Sequence, residues 1–239
     1  MLVEPLVRVT GLRKTFGARL VLDGVTMEVR RGEAVALLGA NGAGKTTLLR
    51  IVATLVRPSR GTVSVGGVDA VRDPDAVRRL VGLVAHGAHL YEDLTALENL
   101  QFWTTLAGRD TSRETLVAAL AEVELDRLAG ERVRTLSAGM RRRLTLARLA
   151  LAQPRVLLLD EPFAGLDQRA KKWLGEHLEA FKAGGGAVLM ATHSFGRELT
   201  AADRLAILAG GRVALDTPRG GLSADDVQRL YALHAEDGP

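Results

Sequence analysis

The chain has 239 residues, 47% hydrophobic and 25% charged, which is enough to bury a core and is the balance of a folded globule. It holds no cysteine, which excludes a disulfide scaffold, a thiolate zinc site and thiol catalysis, and leaves the cytosol as the simplest compartment. The net charge is +4, but the basic residues are interleaved with acids, as in Arg127 to Arg132, so composition does not call for a nucleic-acid partner.

Residues Met1 to Pro5 lack a basic segment leading into an apolar one, so no signal peptide is expected. No apolar stretch nears the ~20 residues of a membrane helix, so any work at a membrane requires another chain to span it. The first stretch reads as short strands, Leu6 to Val9 and Val25 to Val29, punctuated by Gly11, Gly17 and Gly32. Ala34 to Leu38 is wholly apolar, as a strand buried on both faces requires. A glycine loop follows, then an apolar-periodic helix over Thr46 to Leu55 that ends near Pro58. Asp73-Pro74 opens another helix, with proline at its first position.

Between His86 and Gln153 the pattern becomes helical. Thr95-x-x-Glu98 and Thr111-x-x-Glu114 each read as a capping box ahead of an apolar run. Val156 to Leu159 is again a buried strand, Gln168 to Phe181 a helix, and Ala187 to Ala191 a strand. Gly210-Gly211 turns a hairpin between Leu205 to Leu208 and Arg212 to Leu215, and Ser223 caps a last helix. Apolar strands alternating with helices imply a largely parallel sheet. The predicted division is a sheet core at 1–85 and 154–239 with a helical subdomain at 86–153.

Gly39, Ala40, Asn41, Gly42, Ala43, Gly44, Lys45 and Thr46 fit G-x-x-x-x-G-K-[ST], the phosphate-binding loop, and Thr47 continues it. Glycines let several backbone N–H groups turn inward on phosphate oxygens, and the next helix adds its positive end. Lys45 is placed for the β- and γ-phosphates and the Thr46 hydroxyl for Mg²⁺. Chance would give this pattern in such a chain on the order of once in a hundred, and less often between a strand and a helix. The substrate is thus expected to be ATP with Mg²⁺; no Asn-Lys-x-Asp segment for guanine is found.

Asp160 and Glu161 close the apolar strand at 156–159, and ligands of open α/β sheets gather at the carboxyl ends of strands. Alone, such a pair reads as solvated loop; beside a phosphate loop it reads as a Mg²⁺ ligand, Asp160, and a base for water, Glu161. Leu136-Ser137-Ala138-Gly139-Met140 leads into a helix over Arg141 to Gln153, with Ser137 as cap and open N–H groups suited to an anion. The order is phosphate loop, helical insert, Ser137-Ala138-Gly139, strand with Asp160-Glu161, Gly165-Leu166-Asp167, and Thr192-His193 after another strand.

That order resembles the ATPase domain of ABC transporters over roughly residues 6 to 215. The resemblance implies a P-loop NTPase of α/β class, with a largely parallel sheet core, an antiparallel β part and an inserted helical subdomain. It further implies that Phe16 stacks on adenine, that Ser137, Ala138 and Gly139 form the signature motif, and that Asp167 lies in a dimer-contacting loop. His193 would be the histidine that meets the γ-phosphate, and Arg141, Arg142 and Arg143 belong to the signature helix. Two ATPase subunits are expected head to tail with ATP at their interface, on the cytoplasmic face of the membrane under a transmembrane permease. Two positions depart from the pattern: Met140 stands where glutamine is usual, and so does His86, whose ring nitrogens can donate or accept in its place. His86 with the segment Leu94 to Trp103 is similar to the ATPase subunit of the heme exporter of cytochrome c biogenesis. The alternative is the ATPase of an ABC-2 type exporter for drug, lipid or polysaccharide. ABC ATPases acting on DNA or ribosomes carry a coiled-coil insertion or two ATPase domains, and this chain shows neither.

Overall fold

Three wholly apolar segments become the central strands of a sheet because neither face meets water. In the computed structural model, which describes residues 4–84, 90–109 and 111–235, β3 (Ala34–Leu38), β7 (Val156–Asp160) and β8 (Ala187–Thr192) are buried at every position. β3 pairs in parallel with β8, and β8 with β7. β6 (Val81–Val84) extends the parallel set beyond β7, and β9 (Arg204–Ala209) extends it beyond β3. β10 (Arg212–Pro218) returns antiparallel to β9 through Gly210-Gly211, giving the order β10-β9-β3-β8-β7-β6.

A second, antiparallel sheet has the order β2-β1-β4-β5. Its strands β1 (Val7–Phe16) and β2 (Arg19–Val29) are far longer than the segments expected around them. Gly11 and Gly24 do not end the strands; they sit at register shifts, where bulges let each strand continue with a sharper twist. β4 (Arg60–Val65) and β5 (Val68–Asp69) complete this sheet. Helix α1 (Lys45–Val52) buries Leu48, Leu49, Ile51 and Val52 in the core that the two sheets share. It is shorter than the 46–55 span expected, because Thr54 turns to a left-handed φ of 63°.

α2 (Pro74–Leu80) starts as expected, with Asp73 accepting from the Ala76 N–H. The chain then divides into two units: residues 1–85, 155–162 and 178–239 carry both sheets, and residues 86–154 and 163–177 form a helical unit. In the latter, α3 (Ala96–Leu106) opens with the full capping box of Thr95 and Glu98. α4 (Arg113–Glu122) is capped by Ser112 and not by Thr111: the Ser112 Oγ accepts from the Thr115 N–H. α5 (Ala138–Ala152) begins three residues before Arg141, directly after the Ser137 cap. α6 (Gln168–Ala183) starts at the Asp167 carboxylate, which accepts from the Ala170 N–H at 2.9 Å. α7 (Ala224–Ala235) ends the described chain, with Ser223 and Asp226 exchanging bonds at its N-terminus. Among the described residues no helix is long and apolar enough to cross a membrane.

Candidate functional site

The loop after β3 is shaped by where it cannot carry side chains. A Cβ on Gly39 would stand 2.7 Å from the carbonyl oxygen of Leu208. Gly44 has φ 106°, and a Cβ there would meet Leu22 Cδ2 at 2.7 Å. The loop therefore lies flat on the sheet unit and leads directly into α1. Ala40, Asn41 and Gly42 are exposed, Ala43, Thr46 and Thr47 half-buried, and Lys45 only 7% exposed. The Lys45 ammonium folds back and donates to the carbonyls of Gly39 at 2.6 Å and Ala40 at 3.2 Å. Burial lowers the Lys45 pKa from its ordinary value, and the Glu161 and Asp160 charges oppose that shift.

The second half of the site comes from the carboxyl ends of β7 and β8. Asp160 is 5% exposed, and its Oδ2 accepts from the Thr46 hydroxyl at 2.7 Å. This bond joins the phosphate loop to the acid pair across 114 residues of sequence. Glu161 adopts φ 49°, a left-handed conformation uncommon for a side chain with a Cβ, while its N–H donates to the Ala191 carbonyl at 2.9 Å. The backbone bond and the strained turn hold its carboxyl, 16% exposed, at the strand edge. There Oε1 lies 2.6 Å from His193 Nδ1 and Oε2 accepts from the Thr192 hydroxyl at 3.1 Å. His193 is itself 63% exposed. Thr192, 3% exposed, also accepts from the Ser194 N–H, so one hydroxyl links Glu161 to the loop that carries the histidine.

The oxygen donors of Thr46 and Asp160 suit a hard divalent cation, and the loop with Lys45 suits polyphosphate. What the arrangement can do chemically is bind a triphosphate chain and hold a carboxylate and an imidazole beside its end.

Other predicted residues stand elsewhere. Phe16 ends β1 half-exposed, with Lys14 Nζ 4.6 Å from its ring centroid. In the helical unit Ser137 and Ala138 are exposed and Gly139 half-exposed, and Ser137 Oγ accepts from the Met140 N–H at 3.2 Å. This helix start is open to solvent. Arg141 is used internally: its guanidinium donates to the carbonyls of Val133, Leu136 and Arg134. Arg143 bridges Glu124 and Asp167. His86 lies outside the described residues.

Two positions escaped the sequence reading. Thr192 was read only as the neighbour of His193, because a bond to a residue 31 positions away leaves no local signal. Asn99 is fully buried and accepts from the Tyr91 N–H while donating to the Tyr91 and Thr95 carbonyls, which fixes the loop before α3. A polar residue on the same helix face as Ala96 and Leu100 was its available signal.

Similarities to known proteins follow this geometry. Residues 22–164 match the family described as ABC transporter. Over 226 residues the chain is 36% identical to a daunorubicin resistance ATP-binding protein of Streptomyces coeruleorubidus, covering 94% of this chain and 72% of that protein. Over 210 residues it is 39% identical to a Nod factor export ATP-binding protein of Ralstonia nicotianae, covering 87% of this chain and 65% of that one. Among solved structures, an ATP-binding subunit of an ABC transporter shares 32% identity at a TM-score of 0.85, over 96% of this chain and 94% of that one. A dimeric ATP-binding cassette in a post-hydrolysis state, bound to ADP and Pi, shares 26% identity at a TM-score of 0.82, over 90% of this chain and 100% of its own.

Proposed function

The chain belongs to the ABC transporter family, and we propose that it is the ATP-hydrolysing subunit of an exporter of the ABC-2 type, acting on drug-like or lipid cargo. The relatives named for daunorubicin resistance and Nod factor export support this reading over heme export, which the segment 94–103 and His86 had favoured.

The Thr46–Asp160 bond beside the Glu161–His193 pair carries the catalytic assignment. ATP enters the loop with its phosphates on the backbone N–H groups, and Lys45 exchanges the carbonyls of Gly39 and Ala40 for β- and γ-phosphate oxygens. Thr46 and Asp160 would hold Mg²⁺, whose charge neutralises phosphate oxygens when it is bound. The Glu161 carboxylate, held beside His193 and Thr192, can accept a proton from the attacking water. His193 meets Glu161 through Nδ1 and leaves its other ring nitrogen to face the γ-phosphate. Phe16 offers its exposed face to adenine.

The start of α5 at Ser137, Ala138 and Gly139 is open to an anion. A second copy supplies one: each ATP would lie between the loop of one subunit and this helix start of the other, so that charge stabilisation arrives only on closure. The dimeric cassettes among the structural relatives support that arrangement. Tyr91, 47% exposed, and Phe102, 37% exposed, meet edge-to-face at 4.6 Å, and with Leu90 they offer an apolar surface to a permease. His86, preceding this segment, is assigned to the same link between nucleotide and permease.

The exporter reading is tested in a deletion strain. Increased anthracycline sensitivity with normal c-type cytochromes is expected; loss of holocytochrome c with unchanged drug sensitivity reverses the choice.

A further inference from the structure

The loop that carries His193 is anchored at both ends, and the second anchor is remote from any nucleotide-binding motif. At its start Ser194 is bonded to Thr192. Two residues past the histidine, the ring of Phe195 packs on that of Tyr231 with centroids 4.9 Å apart and planes inclined by 56°. Tyr231 lies in the second half of α7, outside the P-loop, the acid pair and the signature segment. α7 is itself well fixed. Ser223 and Asp226 cap it through three bonds, of 3.0, 2.6 and 3.2 Å, and Val227 is 1% exposed. The helix therefore presents Tyr231 at a defined place. His193, by contrast, is 63% exposed and is held to Glu161 through one bond of 2.6 Å.

We propose that Tyr231 and Phe195 are positioning residues, through which α7 sets the placement of His193 beside Glu161 and so tunes the rate of ATP hydrolysis. The inference rests on the assignment of Glu161 and His193 to hydrolysis. Both rings are half-buried, so the contact is both apolar and edge-sensitive, the kind worth more than its area alone. Neither residue belongs to the phosphate loop or the acid pair, so losing the contact displaces the imidazole without altering that loop. Misplacement of a reacting group by about 1 Å costs up to about a hundredfold in rate. Any load on α7 then becomes a load on the histidine loop, which makes this helix a place from which turnover can be adjusted.

The test is ATPase kinetics on the purified chain with fluorescent-nucleotide binding in parallel. Tyr231→Ala and Phe195→Ala are each expected to lower kcat about tenfold or more, with KM for ATP held within about twofold. Tyr231→Phe keeps the ring and should retain kcat. The double variant should be no slower than the slower single, because both remove one contact. If Tyr231→Ala fails to fold, Tyr231→Leu replaces it, with the same kcat loss expected, since it keeps apolar bulk and removes the ring. Unchanged kcat in the alanine variants, or fully additive losses in the double, overturns the proposal. His193→Ala separates the two levels: if it retains normal kcat, the catalytic assignment itself fails, whereas a slow His193→Ala beside a normal Tyr231→Ala refutes only the role of α7.

Discussion

Replacing Asn99 with alanine should loosen the loop before α3 without touching the nucleotide site. Asn99 is fully buried and bonds to loop backbone at 2.8, 3.0, 3.0 and 3.4 Å. Each such bond contributes about 1 kcal/mol net, and a backbone group left unpaired costs about 1–3. Tyr91 is exposed, so water recovers part of the loss at its N–H. The balance is a destabilisation of about 2–3 kcal/mol, which for a chain of this size lowers Tm by roughly 5–10 °C. Both tryptophans, Trp103 and Trp173, belong to the helical unit, and Trp103 lies 6.2 Å from Tyr91. Urea unfolding followed by tryptophan fluorescence therefore reads the affected unit. The midpoint should fall with little change in slope, while ATP binding by the sheet unit persists. A loss below about 0.5 kcal/mol would refute the claim that this one amide fixes the loop.

Two further outcomes follow from neighbouring geometry. The Ala170 N–H and then Arg143 hold the Asp167 carboxyl below its ordinary range, so its stabilising effect is complete above the unfolded value and is lost as pH falls through the lower folded one. Asp167→Asn should accordingly flatten the acid limb of the stability–pH curve, and an unchanged acid limb contradicts the cap. Replacing Leu90 and Tyr91 together with aspartate should leave folding and ATP binding intact but release the chain from membranes containing its permease; sedimentation with those membranes at the normal level counts against the docking surface.

The legible parts of the sequence are those whose signal is local. Ala34 to Leu38, Val156 to Leu159 and Ala187 to Ala191 read as buried strands because an uninterrupted apolar run has few alternatives, and each lies in the central sheet. Thr95 and Glu98 declared their capping box because the partners stand three residues apart. Thr111 misled for the same reason: Ser112 beside it has the same chemistry, and a one-residue choice depends on how the helix packs. Gly11 reads as punctuation, but cross-strand pairing carries β1 through it as a bulge. The phosphate loop and the acid pair were visible as motifs, yet the bond between Thr46 and Asp160 was not, since only the sheet brings them together. The clamp of Phe195 on Tyr231 has no sequence signature at all. Cargo is the least legible property, because the catalytic motifs serve the nucleotide and the heme reading leaned on one short segment and His86.

The central claim is that Glu161 activates water without being needed to hold ATP. Its direct test is Glu161→Gln in a paired measurement of ATP hydrolysis and ATP binding, with Lys45→Ala as the control that should lose binding. The glutamine keeps the shape of the carboxylate and can still meet Thr192 and His193, but it cannot take the proton. Hydrolysis should fall by about a hundredfold or more while ATP remains bound and holds two chains together as a dimer. Near-normal turnover in Glu161→Gln contradicts the account.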